Sequence, residues 1–571
     1  MRDALPRPRA ASLSLPLPLR VPVGPDAYRW RTFPAVRTLV VAARTVTSTV
    51  RVLESLPALL RGDVRVSVVF AYDPTSAFGD GVLDLLHDAG CRVMPWSQLG
   101  DIAPDLILSA SENVDVPEGD CPVLVLPHGV GFQKLVPDSR SARTRLSGVV
   151  PDSLLEAGRA WLAVSHPDQE EQLLATHPKA AGRTLLVGDP CFDDLRGSLG
   201  QRAAHREALG VRNGQRLVVV SSTWGPTSLL GSAPDLPGRL LGALPYDEYR
   251  VAAILHPNVW AAHGAWQIRT LLADALDAGL VLVPPVHAWR SALVAADAVV
   301  GDHGSVTLYG AALGKPLLLA AFGSDAVPGT AGWDLGRSAP RLDTAGGLRR
   351  QLESVISGHP PDRYAHVAAR AFADPGRALA RLRTALYELL DLPEPDSAPP
   401  AARLLPSPEA ETVPVTAWTV ATAVSGRTVT VHRYPATVAG DGTAPGFTHL
   451  ACADSEPDRR LTESASVLLH PAPAPTAVAA RRRLTDTLAS FPGARLAAVS
   501  LTGGGCLVGV HDGRVVEATV TGPAVDPGLP AAVVYACVRA GVALEGGAVS
   551  LRVGELRSEE VELRVRPGGA S

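Results

Sequence analysis

Lysine is almost absent from this chain of 571 residues, which holds only Lys134, Lys179 and Lys315. Arginine therefore carries nearly all the positive charge. Two of the three lysines fall in segments singled out below, where a compact ammonium suits a space that a planar guanidinium does not. The six cysteines are scattered and never form a CxxC pair. That spacing points to neither a zinc site nor a disulfide framework, and reduced thiols in a cytoplasmic protein are the expectation. The formal net charge is only -4, so there is no global basic field to attract nucleic acid. No apolar run approaches the roughly 18 residues of a membrane span. The opening MRDALPRPRAASLSLPLPLRVPVG is rich in Pro and Arg and lacks the unbroken apolar core of a signal peptide. Residues 1–33 are expected to be a disordered leader.

What the chain does have is alternation. From Arg37 onward, apolar strands such as RTLVVAA, VRVSVVFA and CPVLVLP alternate with amphipathic helical stretches such as TVRVLESLPALL. Such alternation implies parallel sheets flanked by helices. The pattern divides into two Rossmann-like domains, expected over 34–195 and 196–392. The helical segment PGRALARLRTALYELL would close the second of them. A Pro/Ala-rich linker follows at 393–412, and then short strands with Gly turns at 413–571, read as a small α+β or β-rich domain. GGGCLVGVHDG in that last part reads as a hairpin.

The segment from His287 to Ala320 is the richest. AVVG reads as a buried strand, Asp302-His303-Gly304-Ser305 as the turn at its carboxyl end, and VTLYGAALG as the next helix. A strand that turns into a helix in this way presents backbone N–H groups and the helix dipole to a phosphate. In open parallel sheets that crevice is the usual ligand site. Ordinary N-capping by Asp302 or Ser305 is the structural alternative. There is no DxD pair. Asp193 and Asp194 are adjacent and read as a turn or helix start, so no metal is expected.

Five segments, in order, resemble the CDP-glycerol glycerophosphotransferases, the teichoic-acid primases and polymerases of glycosyltransferase-B fold. They are PHGVGFQK with His128 and Lys134, VGDPCFDDL with Gly188 and Asp193, VVVSSTWG with Thr223 and Trp224, AILHPN with His256, and GDHGSV…LGKP with Asp302, Ser305 and Lys315. Together they span roughly residues 120–390. The chain departs from the family pattern in several places. Val130 replaces a Thr, Gly225 stands where one arginine is expected, the arginine before His-Pro is lost with Leu255 next to His256, and His303 and Gly304 replace Tyr and Ser.

The resemblance implies a transferase that takes a glycerophosphate, polyol-phosphate or sugar group from a nucleotide-diphosphate donor. The acceptor would be a cell-envelope glycolipid or polyol phosphate, met in the cytoplasm at the inner membrane face through peripheral contact. No cofactor is implied. His128 would be the base that takes the acceptor's proton, His256 a donor to the pyrophosphate, and Lys134 a contact to the acceptor. Ser222, Thr223, Asp302, His303, Gly304 and Ser305 would hold the donor, with His303 charged in place of a lost arginine. A sugar-nucleotide epimerase on the same fold, or a non-catalytic scaffold with a degenerate core, are the alternatives.

Overall fold

The computed structural model of the protein describes residues 29–138, 143–438, 440, 446–520, 526–545, 547–555 and 557–566. The expected leader falls outside these residues up to position 28. The described chain forms two compact units. One comprises residues up to Phe132 with Leu146–Pro190 and Ala373–Ala401, and the other Gln133–Arg145, Cys191–Phe372 and Ala402 onward.

The first unit is built on β1 (Arg37–Ala43), β2 (Val66–Tyr72), β3 (Val93–Pro95), β4 (Leu106–Ser109) and β5 (Val123–Val125). The chain then makes a separate two-stranded ladder, β6 (Leu135–Pro137) with β7 (Thr144–Leu146), before β8 (Ala160–Val164) and β9 (Thr184–Leu186). The main sheet is parallel throughout, in the order β3-β2-β1-β4-β5-β8-β9. Leu39 to Ala43 are almost wholly buried, as a strand covered on both faces requires.

The segment 378–389 is helical as its periodicity predicts, but it belongs here and not to the second Rossmann-like module. Its Leu379, Leu382 and Leu386 pack with Leu39, Val41 and Leu56 in one core. The Tyr387 hydroxyl also donates to Asp63 Oδ2 at 2.6 Å. An apolar stripe states that a helix must be covered, not which sheet will cover it.

The second unit carries β10 (Arg216–Ser222), β11 (Tyr249–Leu255), β12 (Val281–Val283), β13 (Ala298–Gly301) and β14 (Leu317–Leu319). This sheet too is wholly parallel, in the order β12-β11-β10-β13-β14. The winding direction reverses between β10 and β13, which opens a crevice at their carboxyl ends.

The C-terminal region resolves the α+β or β-rich expectation into a closed barrel. Its strands are β15 (Ala417–Ser425), β16 (Thr428–Pro435), β17 (Phe447–Ala453), β18 (Val467–Ala474), β19 (Leu496–Leu501), β20 (Cys506–Val510), β21 (Val515–Val520), β22 (Ala548–Val553) and β23 (Arg557–Arg566). The expected hairpin is the antiparallel pair β19–β20. The helix Gly528–Ala540 is buried from Gly528 to Cys537, and its residues share one core with Val431, Leu469, Val508 and Leu551 of the strands. A helix apolar on every face needs cover on every face, and the barrel supplies it.

Arg433, on β16, ties the barrel to the sheet of the same unit. Its Nε and Nη2 donate to the two oxygens of Asp247, just before β11, at 2.8 and 2.7 Å, and Nη1 donates to Asp526 at 2.6 Å. Its side chain is 1% exposed. The Pro/Ala-rich stretch has no helix or strand over residues 402–410 but is fastened to this unit. Arg403 N donates to Asp194 Oδ1, Ser291 Oγ donates to Pro406 O, and Glu411 exchanges backbone hydrogen bonds with Leu282.

Removing one member of a buried, hydrogen-bonded ion pair strands the other charge. Arg433→Met should therefore lower the unfolding free energy by about 3–5 kcal/mol in urea titration, whereas an unchanged midpoint would contradict this role.

A second consequence concerns pH. His449 on β17 is buried against Tyr535 of the central helix, with ring centroids 4.0 Å apart and neither ring nitrogen hydrogen-bonded. Burial pushes its pKa down to about 4. The folded state thus takes up its proton only well below the unfolded value near 6.5. Stability from this site is complete above pH 6.5 and declines, by up to roughly 3 kcal/mol, as pH falls toward 4. Denaturation of wild type and His449→Phe at pH 7 and pH 4.5 should show a shallower acid loss in the variant.

Candidate functional site

The crevice of the second unit is organised by one carboxylate. Asp302, fully buried at the end of β13, accepts backbone hydrogen bonds from Thr223 N at 2.8 Å, Leu229 N at 2.9 Å and Gly304 N at 2.9 Å. It thereby joins the loop after β10 to the turn after β13. Burial raises its pKa, against the opposing pull of the three N–H groups. A side chain at Gly304 would come within 3.0 Å of Asp302 Oδ1 and 3.1 Å of Thr223 Cβ, so glycine lets the two loops meet. Asp302 therefore sets the shape of the crevice.

The helix Ser305–Ala312 has Gly304 as its N-cap residue and no side-chain capping bond. The capping alternative holds in part, because Asp302 Oδ1 accepts from the N–H of the N-cap residue. The N-cap residue itself offers no side-chain acceptor to the first-turn amides, which leaves this end suited to an anion. Ser222 is committed locally, as its hydroxyl donates to Thr223 O and accepts from Leu230 N, both at 3.1 Å.

Around this turn lies a polar cluster that sequence reading resolved only in part. Lys134 Nζ lies 3.1 Å from Asp325 Oδ2, donates to Trp224 O at 3.3 Å and stands over the Trp224 ring at 5.1 Å. Lys134 belongs to the second unit, with Thr223 and Asp302, and not to the domain of His128. The strand β6 that follows it is held by Leu135 N donating to Asp325 O at 2.7 Å.

His303 is turned inward, and its side chain is 2% exposed. Its Nδ1 accepts from Gly323 N at 3.1 Å, so the ring's proton is on Nε2, which lies 3.1 Å from Asp325 Oδ2. Burial lowers its pKa despite the neighbouring carboxylates. The expectation of a protonated ring standing in for a lost arginine is corrected here, because both nitrogens are taken by protein partners and the ring is neutral.

Asp325, which sequence reading missed, is the hub of this cluster. Burial works to raise its pKa, but Lys134 and His303 hold it below the ordinary carboxylate range. Thr227 Oγ1 donates to its other oxygen at 3.1 Å. The available signal was its position in a Gly-containing loop just past β14, at the carboxyl edge of the same sheet.

His256 follows β11 at that edge and caps the helical segment Pro257–Leu271, which breaks at Gly264, its Nδ1 accepting from Asn258 N at 3.1 Å. This puts the neutral ring's proton on Nε2 and makes that nitrogen a donor. The first unit repeats the device, with His166 Nδ1 accepting from Asp168 N at 3.1 Å at the head of Pro167–Thr176. His-Pro-Asx is therefore a capping unit in both places.

Lys315 of the resemblance is structural. Its buried Nζ donates to Val294 O and Ala296 O at 2.8 and 2.9 Å, closing the helix Ala288–Ala295. Burial, with Arg202 nearby, pushes its pKa down to about 8.

His128 stands in the first unit, in the loop after β5. Its Nδ1 is 3.2 Å from Ala110 O. A carbonyl only accepts, so Nδ1 carries the proton and Nε2 is the basic nitrogen of the neutral ring. The same loop holds Phe132 in the left-handed region at φ 60°, a strained backbone of the kind that gathers at functional sites.

No protein-family model and no curated protein matches the chain. Among solved structures, the wall teichoic acid polymerase TagF aligns over 62% of this chain and 89% of its own at 12% identity, with a TM-score of 0.44. The UDP-GlcNAc 2-epimerase from Neisseria meningitidis, bound to UDP-GlcNAc, covers 62% of this chain and 100% of its own at 15% identity, with a TM-score of 0.38. A glycosyltransferase from Rickettsia africae covers 62% and 98% at 10% identity, with a TM-score of 0.36. Likenesses this distant decide neither the activity nor the donor.

Asp302→Asn offers one acceptor oxygen and one N–H2 group to three converging N–H donors. It should cost about 1–3 kcal/mol and speed amide hydrogen exchange at Thr223, Leu229 and Gly304 selectively. Unchanged exchange at these amides would mean that the carboxylate does not hold the crevice.

Proposed function

We propose that the protein is a metal-independent transferase of the glycosyltransferase-B kind. It moves a glycerophosphate, polyol-phosphate or sugar group from a CDP-glycerol-like nucleotide-diphosphate donor to a cell-envelope acceptor at the cytoplasmic face of the membrane. The observation that carries this reading is the gathering of three resemblance segments at one sheet edge, the carboxyl ends of β10, β11 and β13. The fourth, the Lys134 segment, reaches the same place through Trp224.

In this reading the helix at Ser305 receives the donor's diphosphate on its N–H groups, with Thr223 and Gly304 forming the wall. His256 donates from Nε2 to a phosphate oxygen. The arginine absent at Gly225 is answered from elsewhere in the chain, because Lys134 brings an ammonium to the carbonyl of the preceding residue. Its place beside Trp224 supports a role for Lys134 toward the donor, where the sequence reading gave it to the acceptor. His128 takes the acceptor hydroxyl's proton on Nε2 as that oxygen bonds to the phosphorus or anomeric carbon of the transferred group, the bond from that atom to the nucleotide breaks, and the nucleotide departs as an anion. Helix dipole, N–H groups and ammonium together do the charge neutralisation that a divalent cation would otherwise supply. No helix among the described residues is long and apolar enough to cross a membrane, so acceptor contact in this proposal is peripheral.

A panel of nucleotide diphosphates in a thermal-shift screen identifies the donor, and turnover with that donor in the presence of EDTA tests the absence of a metal. His128→Asn should lower kcat by roughly 10²–10⁴ while leaving the donor's KM within a few-fold. Turnover that requires Mg²⁺, or a His128→Asn enzyme with full kcat, would reject the mechanism. A change at the donor sugar without any acceptor would favour the epimerase.

A further inference from the structure

At the opposite end of the same sheet the second unit holds another polar space, open to solvent on one side. Arg250 is the second residue of β11, and Gln215 immediately precedes β10. These amino-terminal ends lie a full seven-residue strand, roughly 20 Å, from the crevice edge. There a cavity of about 270 Å³ is lined by Arg212, Gln215, Tyr246, Arg250 and the segment 412–415. No aspartate or glutamate lines it.

The two arginines are poorly neutralised. The Nε of Arg250 is buried and has no hydrogen-bond partner. Burial lowers its pKa, and the charge of Arg212 lowers it further. Arg212 reaches Asp247 only at 3.5 Å, and that carboxylate already holds Arg433 through both oxygens. The site is preorganised around them. Gln215 accepts from Arg212 N at 2.8 Å and donates to Tyr246 O at 2.9 Å, while the Arg212 guanidinium lies over the Tyr246 ring at 5.1 Å. A guanidinium nitrogen buried without a partner is unfavourable, and an anion beside Arg250 would relieve it. Arg250 together with the half-exposed Arg212, which also donates to Tyr246 O at 3.3 Å, matches a dianion, which a phosphomonoester is near neutral pH and a monocarboxylate is not. The remaining wall, Tyr246 with Val413, Pro414 and Val415, is apolar and suits an organic body.

We propose that this cavity binds a small organic phosphomonoester, its phosphate between Arg212 and Arg250 and its body against Tyr246 and residues 413–415. Set at the far end of the sheet from the crevice, the bound molecule acts as an effector and not as a substrate. Residues 413–415 lead directly into β15, so occupancy is felt where the barrel joins the sheet.

The probe is phenyl phosphate, with benzoate as monoanion and sodium chloride at matched ionic strength as controls. Phenyl phosphate should raise the melting temperature of the wild type well beyond both controls. Ser305→Asp, which places a negative charge at the crevice, should retain this response, separating the cavity from the proposed donor site. Arg250→Met should lose it, and should melt no lower than wild type without ligand because it removes an unpartnered buried charge. Arg212→Gln, at a half-exposed position, provides a second variant and should weaken the apparent Kd at least about tenfold. The proposal is overturned if chloride or benzoate reproduces the shift, if the response persists in Arg250→Met and Arg212→Gln, or if Ser305→Asp abolishes it.

Discussion

The crevice end of the second unit depends on the carboxylate of Asp302. A parallel sheet whose winding reverses leaves two neighbouring strand ends diverging into loops, and something must hold those loops at a fixed separation. Here one buried side chain accepts from Thr223, Leu229 and Gly304 at once. The buried oxygens would be costly without these donors, and the donors would be costly without the oxygens. That mutual need makes the crevice a defined shape. It also explains Gly304, whose missing side chain leaves room for Thr223 and the Asp302 oxygen.

Charge at the crevice is arranged with the same economy. Asp325 faces both Lys134 and His303. Because Gly323 N donates to His303 Nδ1, the imidazole is kept neutral and the ammonium of Lys134 is the cation of this cluster. The lysine comes from a segment far from the crevice in sequence, carried there by the excursion Gln133–Arg145. At the other end of the sheet the barrel is joined by Arg433, which is hydrogen-bonded to carboxylates on both sides of the junction, Asp247 and Asp526.

Much of the secondary structure was legible. The strands β10, β11 and β13, the turn Asp302–Ser305 and the helix after it are all where periodicity and turn chemistry place them. Six of the nine barrel strands, β15, β16, β19, β20, β21 and β22, and the helix 528–540 were legible as elements too. Their closure was not, because β16 pairs with β22 more than a hundred residues later, and no local pattern encodes such a partner. Helix 378–389 failed for a related reason, since its stripe of leucines fits either sheet. In the site, Asp302 and the helix N-terminus were readable from the strand–turn–helix pattern. Asp325 was not, because an aspartate in a glycine-bearing loop resembles any turn residue until Lys134 and His303 are seen beside it.

The amino-acid order by itself determined the elements, the parallel character of the two sheets and the position of an anion-suited turn. These follow from side-chain periodicity and backbone chemistry within a few residues. The tertiary structure alone decided which histidine nitrogens bear protons, which lysine serves the crevice and which serves a helix end, and that His303 is a buried neutral ring. Those properties are set by donors and acceptors brought in from distant segments, and proton position and charge follow the local partners and not the residue type.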